Sequence, residues 1–258
     1  MHQDQPDFTF GPAVSVTPGM AQARTVIVCE HASAHIPPEL NNLGLPDDLL
    51  RSHIAWDPGA LGVAHALATQ MGAPLVAGEI SRLVYDCNRP PEAPDAVPAL
   101  SEVHAIPGNT GLSDADRAAR VAHVYAPFRN HLRQDIQSRR AHLELMVTVH
   151  SFTPIYRGQP RAVELGILHG ADARFAQRMM DLRPDGFAHL TRLNEPYSAR
   201  DGVAHTLNTQ GTANGLLSVM LEIRNDLIAT PAQQTQWATA LAPWLQATLA
   251  DLTQRVAS

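Results

Sequence analysis

Three apolar segments of the chain each lead into side chains that can bind a metal or move a proton. The segments are residues 25–29, 145–149 and 217–221. The first leads into His31, the second into His150 and the third into Glu222. Short apolar runs bounded by polar or turn residues are typical of buried strands, and open α/β sheets bind ligands beyond the carboxyl ends of their strands. The three segments therefore predict one polar site at a single edge of a sheet.

His31 and His150 are candidate zinc ligands. Catalytic zinc sites combine imidazoles with a carboxylate or a third histidine and keep one position open for water. Two neutral imidazoles and one carboxylate leave a bound Zn²⁺ with a net charge of about +1, which acidifies water. A single histidine is more often a surface or hydrogen-bonded residue, but the placement of both histidines after buried strands favours a metal site. We expect about one Zn²⁺ per chain, although other divalent metals suit such ligands.

Three carboxylates are candidates for the third metal ligand: Asp57, Glu30 and Glu39. We favour Asp57, because the Asp-Pro-Gly sequence that it begins is typical of an N-cap followed by proline at the first helical position. A carboxylate at a helix start is fixed in place and faces the sheet edge.

Glu222 is the candidate general base. A glutamate at a strand end in a cleft can take a proton from the attacking water and later donate it to the leaving amine. The alternative is an ordinary salt bridge between Glu222 and the nearby Arg224.

Arg82, Asn88 and Arg89 are candidate ligands for the substrate. Guanidinium groups bind carboxylates bidentately, and asparagine adds a donor, so Asn88 and Arg89 are predicted to bind a substrate carboxylate. Arg82 either joins them or stabilises the oxyanion. The alternative is that Asp86 forms a structural ion pair with one of these arginines. Further substrate contacts are predicted for three residues on loops near the same edge of the sheet: Ser151, Asn194 and Tyr197.

Strands and helices alternate along the chain, which indicates a mostly parallel sheet with helices on both faces. Besides the three segments above, the expected strands are residues 74–77, 80–87, 163–168 and 188–193, and the expected helices are residues 46–54, 57–71, 171–182 and 231–256. A longer helix over residues 113–140 is predicted to break or bend near Pro127. The predicted fold class is α/β, a three-layer arrangement around a mostly parallel mixed sheet.

Composition excludes several other classes of protein. A net charge of −6 disfavours a nucleic acid or an anionic membrane as partner, and no apolar run approaches the ~18 residues of a membrane span. The first 20 residues lack the pattern of a signal peptide, and there are only two cysteines, so we expect a reduced, cytoplasmic protein. We predict an N-terminal arm (residues 1–24) and one α/β hydrolytic domain (residues 25–258). We expect the protein to be a monomer or a small homo-oligomer.

The chain resembles the N-formylglutamate amidohydrolase family in six short motifs that occur in the family's order: CEHASAHIPPEL (29–40), WDPGA (56–60), SRLVYDCNRP (81–90), SEVHAIPGN (101–109), VHSFTP (149–154) and MLEIRNDL (220–227). The resemblance implies a phosphorylase/hydrolase-like fold, shared with zinc carboxypeptidases and N-acyl amino acid deacylases. It also implies the hydrolysis of N-formyl-L-glutamate to formate and L-glutamate, a step in histidine degradation.

The resemblance extends to individual residues. Zinc carboxypeptidases hold their metal with a His-x-x-Glu pair and a later His-Ser, which His31 and His150-Ser151 match. Ala34 stands where that pattern has its glutamate, so Asp57 is expected to replace it as third ligand. The resemblance also implies that Asn88 and Arg89 correspond to the Asn-Arg pair with which carboxypeptidases bind the substrate carboxylate. It implies that Glu222 corresponds to their catalytic glutamate.

The sequence therefore predicts a zinc-dependent hydrolase that cleaves the linear amide of a small, carboxylate-bearing N-acyl amino acid, with N-formyl-L-glutamate as first candidate. One alternative is a deacylase or carboxypeptidase-like enzyme for another N-acyl amino acid. The other is a small-molecule-binding protein that kept the fold and lost catalysis. Ala34 is the feature in favour of a binding protein, whereas Glu222 and the two histidines favour an enzyme.

Overall fold

Apolar and β-branched segments form a sheet at the centre of the molecule. The structure, a computed structural model, describes residues 10–257. Its strands are, in chain order, β1 (Val14–Thr17), β2 (Thr25–Cys29), β3 (Leu75–Gly78), β4 (Leu100–Ser101), β5 (His104–Ala105), β6 (Leu145–Phe152), β7 (Ile155–Tyr156), β8 (Gln159–Pro160), β9 (Leu165–Leu168), β10 (Thr191–Leu193) and β11 (Leu217–Arg224). Seven strands form one sheet in the order β1-β3-β2-β6-β11-β9-β10, and the others form the hairpins β4–β5 and β7–β8.

The sheet is mixed but mostly parallel. Parallel pairing joins β2 to β3 and β6, β6 to β11, and β9 to β10. Antiparallel pairing joins β1 to β3 and β9 to β11. The strands β3, β2, β6 and β11 therefore point the same way, so that their carboxyl ends lie at one edge of the sheet.

Helices cover both faces of this sheet. They are α1 (Asp47–Leu50), α2 (Ala60–Met71), α3 (Asp114–Arg120), α4 (Ala126–Ser138), α5 (Arg174–Asp181) and α6 (Pro231–Ala257). On one face, α2 and α5 pack against α6 over buried side chains such as Leu67 and Phe175. On the other, Phe128 and Leu132 of α4 pack with the buried Leu83 and Tyr85. Two apolar clusters separated by the sheet give three layers, which confirms the predicted fold class.

Residues 80–87, predicted as a strand, form turns instead. The Ser81 hydroxyl donates a hydrogen bond to the Ala55 carbonyl (2.7 Å) and accepts one from the Leu83 amide (3.2 Å), which closes the backbone into a turn. Leu83, Val84 and Tyr85 are all buried, whereas a half-buried strand alternates buried and exposed side chains. The strand prediction was therefore wrong, because apolar residues here fill a buried turn.

The long helix predicted over residues 113–140 is interrupted, as expected, near Pro127. A π-helical turn (Val121–Tyr125) separates α3 from α4, and Pro127, which has no backbone N–H to donate, lies in the first turn of α4. The predicted helix over residues 46–54 is shorter than expected, because only α1 is helical there.

The predicted N-terminal arm, residues 1–24, contains a strand of the main sheet. β1 pairs with β3 in a register that places Val14 beside Gly78. Residues 1–9 lie outside the part of the chain that the structure describes. Within residues 10–257, no helix is both long enough and apolar enough to cross a membrane.

Candidate active site at the carboxyl ends of the central strands

His31, Asp57 and His150 come together where β2 and β6 end, and we call them the histidine cluster. The Asp57 Oδ2 atom lies 3.3 Å from Nδ1 of His31 and 3.0 Å from Nδ1 of His150. The two Nδ1 atoms are 3.2 Å apart. All three residues are at most 3% exposed.

The histidine cluster has the size that a tetrahedral cation requires. Ligand atoms at zinc distances of about 2.0–2.2 Å lie about 3.3 Å from one another in a tetrahedral site. The three atoms of the cluster form a nearly equilateral triangle with edges of 3.0, 3.2 and 3.3 Å. Two imidazole nitrogens and a carboxylate oxygen are also the donor types that zinc prefers. This buried group can therefore hold a metal ion.

Each histidine of the cluster has a carboxylate behind it. Nε2 of His31 donates to Oδ1 of Asp86 at 2.7 Å, which leaves the lone pair of the neutral ring on Nδ1. Nε2 of His150 lies 3.1 Å from Oε2 of Glu30, an ion-pair distance. A carboxylate in this position fixes the ring orientation and raises the basicity of a ligating imidazole.

Asp57 belongs to the histidine cluster and does not cap a helix. The N-cap of α2 is Gly59, whose φ of 83° lies in the left-handed region, and no side chain caps this end. A Cβ on Gly59 would lie 2.3 Å from the Ile228 carbonyl oxygen. The Asp57 carboxylate instead accepts from the Ser151 amide (3.2 Å) and from Nη1 of Arg82 (3.1 Å). The predicted N-cap was wrong, because these partners draw the side chain into the cluster.

The surroundings keep the Asp57 carboxylate ionised. Burial alone would raise the pKa of Asp57, but His31, His150 and Arg82 outweigh burial and hold that pKa well below its usual value. Burial and Arg82 lower the pKa of His31, yet Asp86 and Asp57 outweigh both and raise it. A metal ion bound by the cluster would therefore be held by an ionised carboxylate and would displace protons from the imidazoles.

Glu222 lies next to the histidine cluster. The register between β11 and β6 pairs Glu222 with His150. The Glu222 side chain lines the cavity described below, and its Oε2 atom is buried with no hydrogen-bond partner among the described residues. Burial raises the pKa of Glu222 to about 7. The alternative salt bridge is not formed, because Arg224 pairs with Asp226 at 2.8 Å.

A cavity of about 500 Å³ opens in front of the cluster and Glu222. Part of its lining comes from Tyr156 of β7, Arg161 beyond β8, and Tyr197, which we call the hairpin wall. The carbon at the centre of the Arg161 guanidinium lies 4.4 Å from the ring centre of Tyr156 and 4.8 Å from that of Tyr197. Nη1 of Arg161 also donates to the Tyr197 hydroxyl at 2.9 Å.

Asn88 and Arg89 line the cavity, but their polar atoms already have partners. The Asn88 amide donates to the Val203 carbonyl (2.6 Å) and accepts from the Thr206 amide (3.0 Å). Every nitrogen of the Arg89 guanidinium also donates a hydrogen bond, to Asp95 and to the carbonyls of Asn88, Asp201 and Gly202. Both residues tie the segment around residues 201–206 to the cavity, and their role in binding a substrate carboxylate stays a prediction.

The other predicted residues are placed as follows. Arg82 lines the cavity and joins Asp57 to Asp86, whose Oδ2 lies 2.9 Å from Nη2 of Arg82, so the structural ion pair considered for Asp86 is present. Ser151 lines the cavity and donates from its hydroxyl to the Pro58 carbonyl at 2.9 Å. The structure does not bring Asn194 to the cavity, because both ends of its amide pair with His169. Glu39, a possible third ligand, is exposed outside the site.

Sequence reasoning missed two features of the site. The first is the contact from Asp86 to His31, because the spacing of four residues between Arg82 and Asp86 indicates only their ion pair. The second feature is Arg161, which lines the cavity. No local pattern marks Arg161, because its aromatic neighbours Tyr156 and Tyr197 are 41 residues apart in the sequence.

Comparison with known proteins gives one family. The sequence profile described as N-formylglutamate amidohydrolase matches residues 23–229, a range that contains every predicted site residue. The solved structure of gene product Atu2144 from Agrobacterium tumefaciens is similar at 46% identity, with a TM-score of 0.91 over 94% of this chain and 97% of that chain. An N-formylglutamate amidohydrolase from Ralstonia eutropha is 16% identical, with a TM-score of 0.53 over 95% and 98%, and shows a common fold. Comparison with curated protein sequences found no match.

Proposed function

Since this chain belongs to the N-formylglutamate amidohydrolase family, whose members act on amides, we propose that it is a metal-dependent enzyme that cleaves the amide of an N-acyl amino acid. N-formyl-L-glutamate is the first candidate substrate, and zinc is the first candidate metal. The products would be formate and L-glutamate.

The observation that carries this proposal is the triangle of ligand atoms in the histidine cluster. Its edges fit one cation, and Asp86 and Glu30 stand behind the two imidazoles. A purely structural role would bury these two histidines and three carboxylates without any ligand to justify the cost of desolvation. A binding protein that had lost catalysis would also have no use for a buried, unpartnered Glu222 beside the cluster.

The residues of the chain divide the chemical work among them. His31, Asp57 and His150 would hold the metal, which when bound supplies Lewis acidity to polarise the amide carbonyl and to acidify water. Glu222 takes the proton of the attacking water and later donates it to the leaving amino group, a role that suits a carboxyl whose pKa is raised to about 7.

Arg82 supports this chemistry from the side of the cavity. Its guanidinium holds Asp57 and Asp86 in place, and its side chain remains 29% exposed. N–H groups not engaged by the two carboxylates are available to stabilise the negative charge that develops on the carbonyl oxygen.

We also propose that the protein is cytoplasmic, because its two cysteines, Cys29 and Cys87, are buried and form no disulfide.

The test is the release of formate from N-formyl-L-glutamate by the zinc-loaded protein and by its Glu222→Gln variant. We expect the variant to keep its zinc and to lose about 10²–10⁴-fold in kcat, because the amide cannot accept the proton. Glu39→Gln, an isosteric change of an exposed glutamate, is the matched control and should leave both zinc content and kcat unchanged. Full activity of Glu222→Gln would contradict the proposed base, and inactivity of the unmodified protein would contradict the proposed substrate.

A further inference from the structure

Four arginines line the cavity, and two of them, Arg82 and Arg89, are already paired with carboxylates of the protein. Arg82 is held between Asp57 and Asp86, and Arg89 is paired with Asp95 at 2.7 Å. A guanidinium in such an ion pair offers a substrate carboxylate little net attraction, because a second anion would have to compete with the first. Neither arginine is therefore well suited to select a negatively charged substrate.

Arg161 is different, because it lacks a carboxylate partner in the described part of the chain and, unlike Arg157, which also lacks one but is exposed, it is half-buried. Among residues 10–257, no carboxylate pairs with its guanidinium, whose one side-chain hydrogen bond goes to the neutral hydroxyl of Tyr197. The other N–H groups of its fork have no side-chain partner in the described part of the chain. Arg161 is also half-buried, so solvent compensates its charge only in part.

The hairpin wall holds the Arg161 guanidinium in a fixed place. The rings of Tyr156 and Tyr197 lie within 4.8 Å of it, and that of Phe152 lies 5.6 Å away. Stacking of this kind stabilises a cation and limits its rotamers, so little entropy is lost when an anion binds. The planar fork then suits bidentate recognition of a carboxylate.

Tyr197 links this guanidinium to the reaction centre. Its hydroxyl accepts the hydrogen bond from Arg161, while burial and the nearby Glu222 carboxylate raise the pKa of Tyr197. Arg161, Tyr197 and Glu222 line the same cavity, so a small substrate whose amide lies at Glu222 can contact Arg161 with another of its groups.

We propose that Arg161, held by Tyr156 and Tyr197, binds a carboxylate of the substrate and gives the site its preference for acidic N-acyl amino acids. Asn88 and Arg89 then act as positioning residues that fix the segment around residues 201–206. This inference rests on the proposed function, but it can be tested without turnover.

The first experiment measures binding of N-formyl-L-glutamate to the zinc-loaded Glu222→Gln protein by titration calorimetry. Adding Arg161→Met, which keeps a long side chain between the rings but removes the cation, should weaken binding by about 30-fold or more. Arg161→Lys should recover part of this loss, because it restores the charge without the fork. Arg133→Met, an equal loss of charge on the exposed side of α4, is the control and should change affinity by less than about twofold.

The second experiment repeats these titrations with N-formyl-L-glutamine and N-formyl-L-isoglutamine, each of which replaces one carboxylate by a carboxamide. We expect Arg161→Met to leave the affinity for one analogue unchanged and to weaken binding of the other, which identifies the carboxylate that Arg161 contacts. Equal losses for both analogues, a loss below about threefold for N-formyl-L-glutamate, or no binding by the parent protein would each overturn the inference.

The two proposals fail in different ways. If the unmodified protein releases no formate but shows binding that depends on Arg161, the proposed reaction is wrong and the carboxylate site stands. If the Arg161→Met enzyme releases formate with an unchanged KM, the inference about Arg161 is wrong and the proposed reaction stands.

Discussion

The histidine cluster and the hairpin wall line the same cavity, but they are held in place by different means. His31, Asp57 and His150 lie on or beside the central strands, are at most 3% exposed and are joined to one another by hydrogen bonds. Tyr156, Arg161 and Tyr197 lie on a short hairpin and on loops, are partly exposed and are held mainly by ring contacts. In the two proposals above, the residues on the sheet would carry out the chemistry and the residues on the loops would select the substrate, a common arrangement in enzymes.

The largest effect is expected from breaking the histidine cluster itself. His150→Ala removes one ligand atom and should abolish stoichiometric zinc binding, with a loss of formate release of about 10³-fold or more. His142→Ala, a change to an exposed histidine just before β6, is the control and should keep both properties. The measurement is zinc content by mass spectrometry on folded protein, with circular dichroism as the check of folding. A His150→Ala protein that retained its zinc would contradict the cluster as the metal site.

The contrast between the two regions also explains how much the sequence could predict. His31, His150 and Glu222 were found because each follows or ends an apolar strand, a pattern that is local in sequence. Their convergence then followed from the parallel order of β2, β6 and β11. Asp57 is predicted as the third ligand because of an expected N-cap position. The structure shows instead that Asp57 does not cap α2 and that its carboxylate lies against the histidines.

The hairpin wall could not be predicted in the same way. Arg161 has one ring, Tyr156, close in sequence, but the second, Tyr197, reaches it only after β9, α5 and β10. The role of Asn88 and Arg89 in binding substrate stays a prediction from residue type, and residue type does not show that their donors already have partners within the protein. The carbonyls that occupy them belong largely to residues 201–203, more than 100 positions away in the sequence.

A smaller effect is expected from the carboxylate behind His31. Asp86→Asn keeps the size of the side chain but removes the charge that orients and polarises the imidazole, so zinc affinity should fall by about 10- to 100-fold. Competition with a chelator of known affinity measures this change. Asp114→Asn, in the exposed first turn of α3, is the control. Unchanged zinc affinity in Asp86→Asn would show that Asp86 serves only its ion pair with Arg82.

The pH dependence of catalysis tests the role of Glu222. A general base works in its ionised form, so kcat/KM should fall by about tenfold per pH unit below the pKa of Glu222. Burial raises that pKa to about 7, and a bound dication would lower it, so the acidic limb should lie at or below about pH 7. Zinc content is followed at each pH to separate this limb from metal loss. An identical acidic limb in the residual activity of Glu222→Gln would assign the limb to another group.

The smallest effect is expected from Arg89, on the loop side of the cavity. Arg89→Met removes hydrogen bonds to Asp95 and to the carbonyls of Asp201 and Gly202, so the segment that they fix should become more mobile. We expect KM to rise by about 3- to 10-fold with zinc content unchanged, whereas Arg161→Met should lose discrimination between carboxylate and carboxamide substrates. If Arg89→Met lost that discrimination instead, Arg89 would be the carboxylate ligand and the comparison between the two arginines would be reversed.

The most direct test of the central claim is to remove and restore the metal while formate release from N-formyl-L-glutamate is measured. Dialysis against a chelator should abolish formate release, and titration with Zn²⁺ should restore it in proportion to zinc bound, with full activity at about one ion per chain. The same titration of the His150→Ala protein should restore nothing. Formate release that persists in fully metal-free protein would contradict a catalytic metal in the histidine cluster.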